Sequence, residues 1–204
     1  ACLVGSEMCI RDSDRIGIDI GRRLSAEDAI SWAAANEVSY FDIQCDIAPN
    51  EMERFDPVAC AAIRDACAAN NLHLGLHTLS AMNTAEIAPF LRDAADEYLR
   101  GYIDLARQMA AEWVVVHGGY HFTGDTGLRR AASIDRLKRA TGYAEEQGVL
   151  LLLENLNGEP DLAEVHYMPD TMADTIAWFE AIPSENLKWA FTINHADYDN
   201  DGIA

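Results

Sequence analysis

Positive charge is scarce in this sequence. Lysine and arginine total 15 against 34 aspartates and glutamates, a formal net charge of −19 over 204 residues, with a pI near 4.4. Proteins that grip a phosphate backbone do so by replacing its counterions with Lys and Arg. The balance therefore argues against nucleic acid as a partner, though a local basic groove stays open. Long apolar runs are missing too: no stretch approaches the ~18 residues that cross a bilayer, so a soluble chain without a membrane partner is expected. Cysteine is sparse, five residues with no C-x-x-C pair and no regular spacing, which does not fit a disulfide framework. Cys60 and Cys67 fall two turns apart on an expected helix, roughly 10 Å by the helical rise, too far to bridge. A reducing, cytoplasmic setting is the expectation. Also absent is a G-x-G-x-x-G turn after the first strand, the mark of a dinucleotide-binding doubly wound sheet. No repeat and no low-complexity linker interrupts the chain.

Half of the residues are apolar, which suits one globular domain with a sizeable core. The opening ACLVGSEMCIRDS, Ala1 to Ser13, lacks the basic n-region of a signal peptide. It resembles the translated product of a sequencing adapter, as found at the ends of metagenomic reading frames. Residues 1–13 are therefore expected to be a non-native segment, with Cys2 and Cys9 in it, and residues 14–204 the domain.

From Asp14 onward strand and helix patterns alternate. RIGIDIG (Arg15–Gly21) reads as a strand, and Ser25–Val38 as a helix with Ser25 as N-cap and Asp28 three residues on. YFDIQCD (Tyr40–Asp46) is a second strand. A helix from Asp56 to Asn70 follows, with Pro57 at its first position. LHLGLHTL (Leu72–Leu79) is the third strand, followed by a long helix from about Thr84 to Glu112, kinked near Gly101. Trp113–Gly119, Val149–Leu156 and Leu187–Ala196 make strands four to six; Gly127–Glu146 and Pro169–Ala181 make the helices between them. Strands that are continuous apolar runs and alternate with helices predict a parallel sheet covered by helices.

The strand ends choose between parallel folds. His77, His117, Glu154 and His195 sit at the C-terminal ends of four strands, and active sites of (β/α)₈ barrels collect at that face. The fold class expected is thus α/β, an incomplete (β/α)₈ TIM barrel. Six strands are visible where a full barrel needs eight, in about 250 residues. Period-two alternation puts His73, Gly75 and His77 on one face, with His77 at the mouth and His73 near the floor as a structural residue. Gly118 and Gly119 let the backbone turn after His117. Tyr120 reads equally as a lid or a surface ring, and His121 as a solvated loop histidine. Glu154 ends a run of Val149 and four leucines, where a carboxylate is costly unless partnered. Its expected role is metal ligand or general base. The four residues together form a mixed N/O set suited to a divalent ion such as Zn²⁺ or Mn²⁺. DYDNDG (Asp197–Gly202) matches the opening of an EF-hand loop, but a strand precedes it, and it reads as a solvated βα loop.

At GLHT (Gly75–Thr78), VVVHGG (Val114–Gly119), LLLEN (Leu151–Asn155) and NHA (Asn194–Ala196) the sequence resembles the xylose isomerase-like TIM-barrel superfamily. That is the sugar phosphate isomerase/epimerase group, which also includes endonuclease IV. The resemblance implies that Glu154 is a divalent-metal ligand and acid/base residue, and that His195 binds substrate or metal. It makes His77 and His117 substrate-pocket residues, which match metal ligands in the endonuclease branch but not generally in the sugar branch, and sets Asp42 near the substrate. The family often reads D-x-x-H at strand six, with the aspartate a metal ligand; here Thr192 stands in its place. Either Asp197 compensates, or the metal binds weakly, or none is used. The family's strand-seven histidine and strand-eight glutamate would lie beyond Ala204. The implied function is a sugar or sugar phosphate isomerase or epimerase using Mn, Zn, Mg or Co for proton transfer through an enediolate, with this fragment itself inactive. The alternatives are an endonuclease IV-like phosphodiesterase and a barrel that has lost its metal. Neither the particular sugar nor a homo-oligomeric state is legible.

Overall fold

The computed structural model describes residues 17–122 and 124–196. Its main sheet has six parallel strands in the order of the chain, so each crossover carries the next strand to the neighbouring position. These are β1 (Gly17–Gly21), β2 (Tyr40–Ile43), β3 (His73–His77), β4 (Trp113–Val116), β6 (Leu150–Glu154) and β8 (Leu187–Ala190). The intervening β5 (Tyr120–His121) and β7 (His166–Tyr167) form a separate antiparallel pair. Helices α1 (Ala26–Ala35), α2 (Pro57–Ala69), α3 (Pro89–Met109), α4 (Thr126–Gln147) and α5 (Met172–Ala181) connect the strands. The order β1-β2-β3-β4-β6-β8, joined by five helical crossovers, is six of the eight strands of a TIM barrel.

Alternation divides each strand between two environments. Leu74 and Leu76 of β3, Val114 and Val116 of β4, and Leu151 and Leu153 of β6 are buried with helix residues such as Ile63, Leu99, Ile103, Leu137 and Trp178. The alternate residues turn to the inner face, and there the register forces one glycine. Gly75 pairs with Trp113, whose indole ring fills the space a Cβ at Gly75 would need.

Capping chemistry sets the helix starts. Ser25 accepts from the Asp28 amide at 3.1 Å, the expected N-cap, and its hydroxyl donates to the Asp28 carboxylate at 2.8 Å. Asp56 accepts from the Val58 and Ala59 amides ahead of Pro57. Two expected starts move. Helix α3 begins at Pro89 instead of Thr84, because the Thr84 hydroxyl is spent on His117 O and Glu86 accepts from the Ile87 and Ala88 amides; α3 then runs unbroken through Gly101. Helix α5 begins at Met172, where Thr171 caps the Asp174 amide.

The sixth strand of the main sheet is shorter than its sequence implies. It ends at Ala190, and Phe191–Ala196 leave it through turns at Thr192 and Ile193. His195 therefore lies in a turn after the strand. Asp197, the DYDNDG segment and residues 1–13 lie outside the described residues. Cys45, Cys60 and Cys67 are buried free thiols, and burial pushes Cys45 up to about 12 and Cys67 up to about 11. No described helix is long and apolar enough to cross a membrane.

Candidate active site

The carboxyl ends of the parallel strands bring together the polar residues that the sequence scatters over the chain. His77 closes β3, His117 follows β4 by one residue, and Glu154 closes β6. All three are nearly excluded from solvent: His117 is 2% exposed, Glu154 4% and His77 8%. Three of their atoms converge. His77 Nε2 lies 3.3 Å from His117 Nε2, His117 Nε2 lies 2.9 Å from Glu154 Oε2, and His77 Nε2 lies 3.2 Å from the same oxygen. Two imidazole nitrogens and a carboxylate oxygen packed so closely need a shared cation, either protons or a metal ion. Bonds of about 2.0–2.1 Å to one ion place neighbouring ligand atoms about 2.8–3.4 Å apart, the lower end for octahedral and the upper for tetrahedral geometry. The three separations match that edge length, so the residues fit a divalent ion held by two histidines and one carboxylate.

Charge in the cluster follows from these contacts. Burial alone would pull the His77 pKa down, but hydrogen bonds to Asp42 and Glu154 outweigh it and push it up to about 10. Burial would raise Glu154, yet hydrogen bonds from His117, His195 and His77 hold it far below the usual carboxylate range. His117 goes the other way: burial dominates and lowers it in spite of Glu154. The site thus holds an ionised carboxylate and already concentrates positive charge beside it.

Glu154's second oxygen faces β8. Thr192 donates its hydroxyl to Oε1 at 2.5 Å, and His195 Nδ1 stands 3.4 Å from the same atom. His195 Nδ1 also lies 3.0 Å from Asn155 O, as donor, and its hydrogen bond to Glu154 raises its pKa against the opposing effect of burial. His195 thus borders the cluster and lies outside the converging trio. Asp42 is on the other flank, its Oδ1 3.3 Å from His77 Nδ1, with Asp19 Oδ1 4.0 Å from that nitrogen. Burial raises the Asp19 pKa. Asp19, Asp42 and His77 form a second group that could hold a metal ion.

The glycines after His117 have a steric cause. A Cβ on Gly118 would strike the Met168 carbonyl. Gly119 has φ +85° and sits against Asn83, Thr84 and Ala85. The Asn83 side chain accepts from the Tyr120 amide at 2.9 Å and donates to Tyr120 O at 3.1 Å. Thr84 donates to His117 O at 2.6 Å. The loop before α3 therefore braces the turn that carries His117. Tyr120 and His121 belong to the β5–β7 pair, where His121 stacks on His166 with centroids 5.5 Å apart. His73 lies at the far end of β3, bonded to Glu112 at 2.5 Å and stacked on Tyr40, a structural histidine.

Asp19 and Thr78 flank the cluster as well, and the sequence alone does not single them out. Asp19 left a signal, a lone charge in IGIDIG on the opposite parity to Ile18 and Ile20. Thr78 left none, because its contact with His117 Nδ1 at 3.2 Å depends on how β3 and β4 pair.

Similar proteins share this architecture. A D-psicose 3-epimerase with D-tagatose from Clostridium cellulolyticum H10 superposes with a TM-score of 0.76 at 13% identity, over 92% of this chain and 66% of its own. A D-tagatose 3-epimerase-like protein gives 0.73 at 19% identity, over 90% and 67%. A D-allulose 3-epimerase from Methylomonas sp. in complex with D-allulose gives 0.67 at 20% identity, over 91% and 64%. This chain thus spans about two thirds of the length of these structures. No curated protein matches it. The family described as xylose isomerase-like TIM barrel matches residues 30–203. With six in-order parallel strands and its polar cluster at their carboxyl ends, this chain belongs to the xylose isomerase-like TIM-barrel family.

Proposed function

We propose that this chain is the larger part of a metal-dependent sugar isomerase or epimerase. The observation that carries the reading is the convergence of His77 Nε2, His117 Nε2 and Glu154 Oε2 within 3.3 Å at the carboxyl end of the sheet. In this reading the three residues hold one divalent ion, and zinc, manganese and cobalt suit two imidazoles and a carboxylate. A bound divalent ion polarises a substrate carbonyl and eases loss of the neighbouring carbon-bound proton. Glu154 serves as a ligand through Oε2, while Thr192 holds Oε1 and fixes the plane of the carboxylate. His195 commits Nδ1 to Asn155 O, and at the partly open rim we assign it to a substrate oxygen. Support for a sugar comes from neighbours described as acting on or holding D-psicose, D-tagatose and D-allulose, and from a charge balance that disfavours polyanions.

One observation favours a second reading. His77 and His117 face the metal position together, the pattern the endonuclease branch uses, so phosphodiester cleavage is the competitor. The test takes the metal first. Titration with Mn²⁺, Zn²⁺ and Co²⁺ is expected to give one equivalent bound to the chain and none at this site in Glu154→Ala. The metal-loaded full-length enzyme that contains this chain is then incubated with ketohexoses in D₂O, and loss of a carbon-bound proton signal by NMR is the expected result. Metal binding without exchange, together with cleavage of an abasic-site phosphodiester, would replace the sugar reading by the nuclease one. No metal binding would sink both.

A further inference from the structure

The groups behind the two imidazoles carry an inference that rests on the metal reading above. An imidazole can ligate through either nitrogen, and the ligating one must be free of its proton. Something must decide which nitrogen that is. At His117, Nδ1 faces the Thr78 hydroxyl at 3.2 Å. That hydroxyl has a single hydrogen, which it gives to Val115 O at 2.9 Å. Toward the ring it can only accept, so His117 Nδ1 carries a proton of its own, and Nε2 is the nitrogen that gives up the hydrogen it shares with Glu154 when the ion binds. At His77, Nδ1 faces a carboxylate oxygen of Asp42 at 3.3 Å, again an acceptor, with Asp19 a further 4.0 Å neighbour on that side. Both outer groups are sheltered, Thr78 being 1% exposed and the Asp42 side chain 14%. The sheet register supplies them: Asp42 pairs with Gly75, two residues before His77 on the same face, and Thr78 follows His77 directly.

We propose that Asp42 and Thr78 are positioning residues of the metal centre. Each holds the Nδ1–H of one histidine, so that both Nε2 atoms are presented to the ion beside Glu154. Asp42 thereby acts through His77. Partners of this kind behind a ligating histidine fix its tautomer and ring plane, and losing one weakens metal affinity about 10–100-fold.

The experiment uses the chain labelled with ¹⁵N-histidine, and Co²⁺ as probe. In the metal-free protein, long-range ¹H–¹⁵N spectra should show a proton on Nδ1 of both His77 and His117. Thr78→Val, which keeps the volume and loses the hydroxyl, should lose the Nδ1–H of His117 and weaken Co²⁺ about 10–100-fold; Thr78→Ser should restore both. Asp42→Ala should do the same at His77, with Asp42→Asn, which retains an acceptor oxygen, closer to the parent. In a His77→Ala background, Asp42→Ala should cost nothing further. Circular dichroism confirms that each variant folds. An unprotonated Nδ1 in the parent overturns the proposal. So does Co²⁺ affinity unchanged in folded Thr78→Val and Asp42→Ala, or an undiminished Asp42→Ala effect without His77. A parent chain that binds no Co²⁺ overturns the metal reading itself and the positioning roles with it, whereas a parent that binds Co²⁺ with indifferent variants overturns the positioning roles alone.

Discussion

Single residues in this chain are constrained by what stands directly opposite them, and Gly75 is the sharpest case. The Trp113 indole occupies the space of a side chain there, so Gly75→Ala should push the ring off its position and cost about 1–3 kcal/mol, as overpacking of a filled core does. Urea denaturation of the variant checks this, and an unchanged midpoint would mean that the ring has room to shift. Arg136 is constrained by hydrogen bonds. Its guanidinium is 2% exposed and is shared among the carbonyls of Thr84, Glu86 and Arg92 and the Asp96 carboxylate. Arg136→Met leaves those acceptors without their donor, and a loss of about 3 kcal/mol is expected. Arg136→Lys should not recover it, because an ammonium cannot span a fork of four acceptors. Such constraints are poorly legible from sequence. Gly75 was readable as an inner-face position from the alternation of LHLGLH, yet nothing near it names Trp113 as its neighbour.

Elements were more legible than their ends. The helix after Asp56 was foreseen almost residue for residue because its start is a local matter: Asp56 accepts from two amides of its own first turn, ahead of Pro57. Asp56→Ala should therefore destabilise the fold by about 1 kcal/mol, read as a lowered melting temperature, with Asp56→Ser close to the parent. Ends that depend on partners from elsewhere were missed. Residues Thr84–Ala88 have the composition of a helix start, but Thr84 bonds to His117 O and Asn83 to Tyr120 across the sheet mouth. The strand ending at Ala190 reads in sequence as continuing to Ala196, whereas Asn155, just past the end of the neighbouring strand, accepts from the Thr192 amide and donates to Thr192 O, drawing the backbone away. The β5–β7 pair was missed for the same reason: two residues on each side show no alternation of their own.

At the scale of the whole molecule, charge and metal linkage make the remaining predictions. With a net charge of −19 the folded chain repels itself, and salt should screen that repulsion. The melting temperature should rise as NaCl is increased from low concentration; a fall would show that surface ion pairs outweigh the repulsion. A divalent ion bound only by the folded chain stabilises it by about 2.7 kcal/mol at a hundredfold excess over Kd. Zn²⁺ or Mn²⁺ should thus raise the melting temperature, EDTA should reverse the rise, and Glu154→Ala should show neither effect. What the sequence determined by itself was everything with a local period: the alternation of strands and helices, the shared face of His73, Gly75 and His77, and the strand-end position of His77, His117 and Glu154 in a parallel fold. Three histidines and a glutamate were picked out as one set, but not which of their atoms meet. Only the tertiary structure decided that His77, His117 and Glu154 converge while His195 stays at the rim, and that Asp42, Asp19 and Thr78 stand behind the imidazoles. Side-chain parity is a property of a single strand, whereas a contact of about 3 Å depends on the register and twist between strands, which the pairing of distant segments sets.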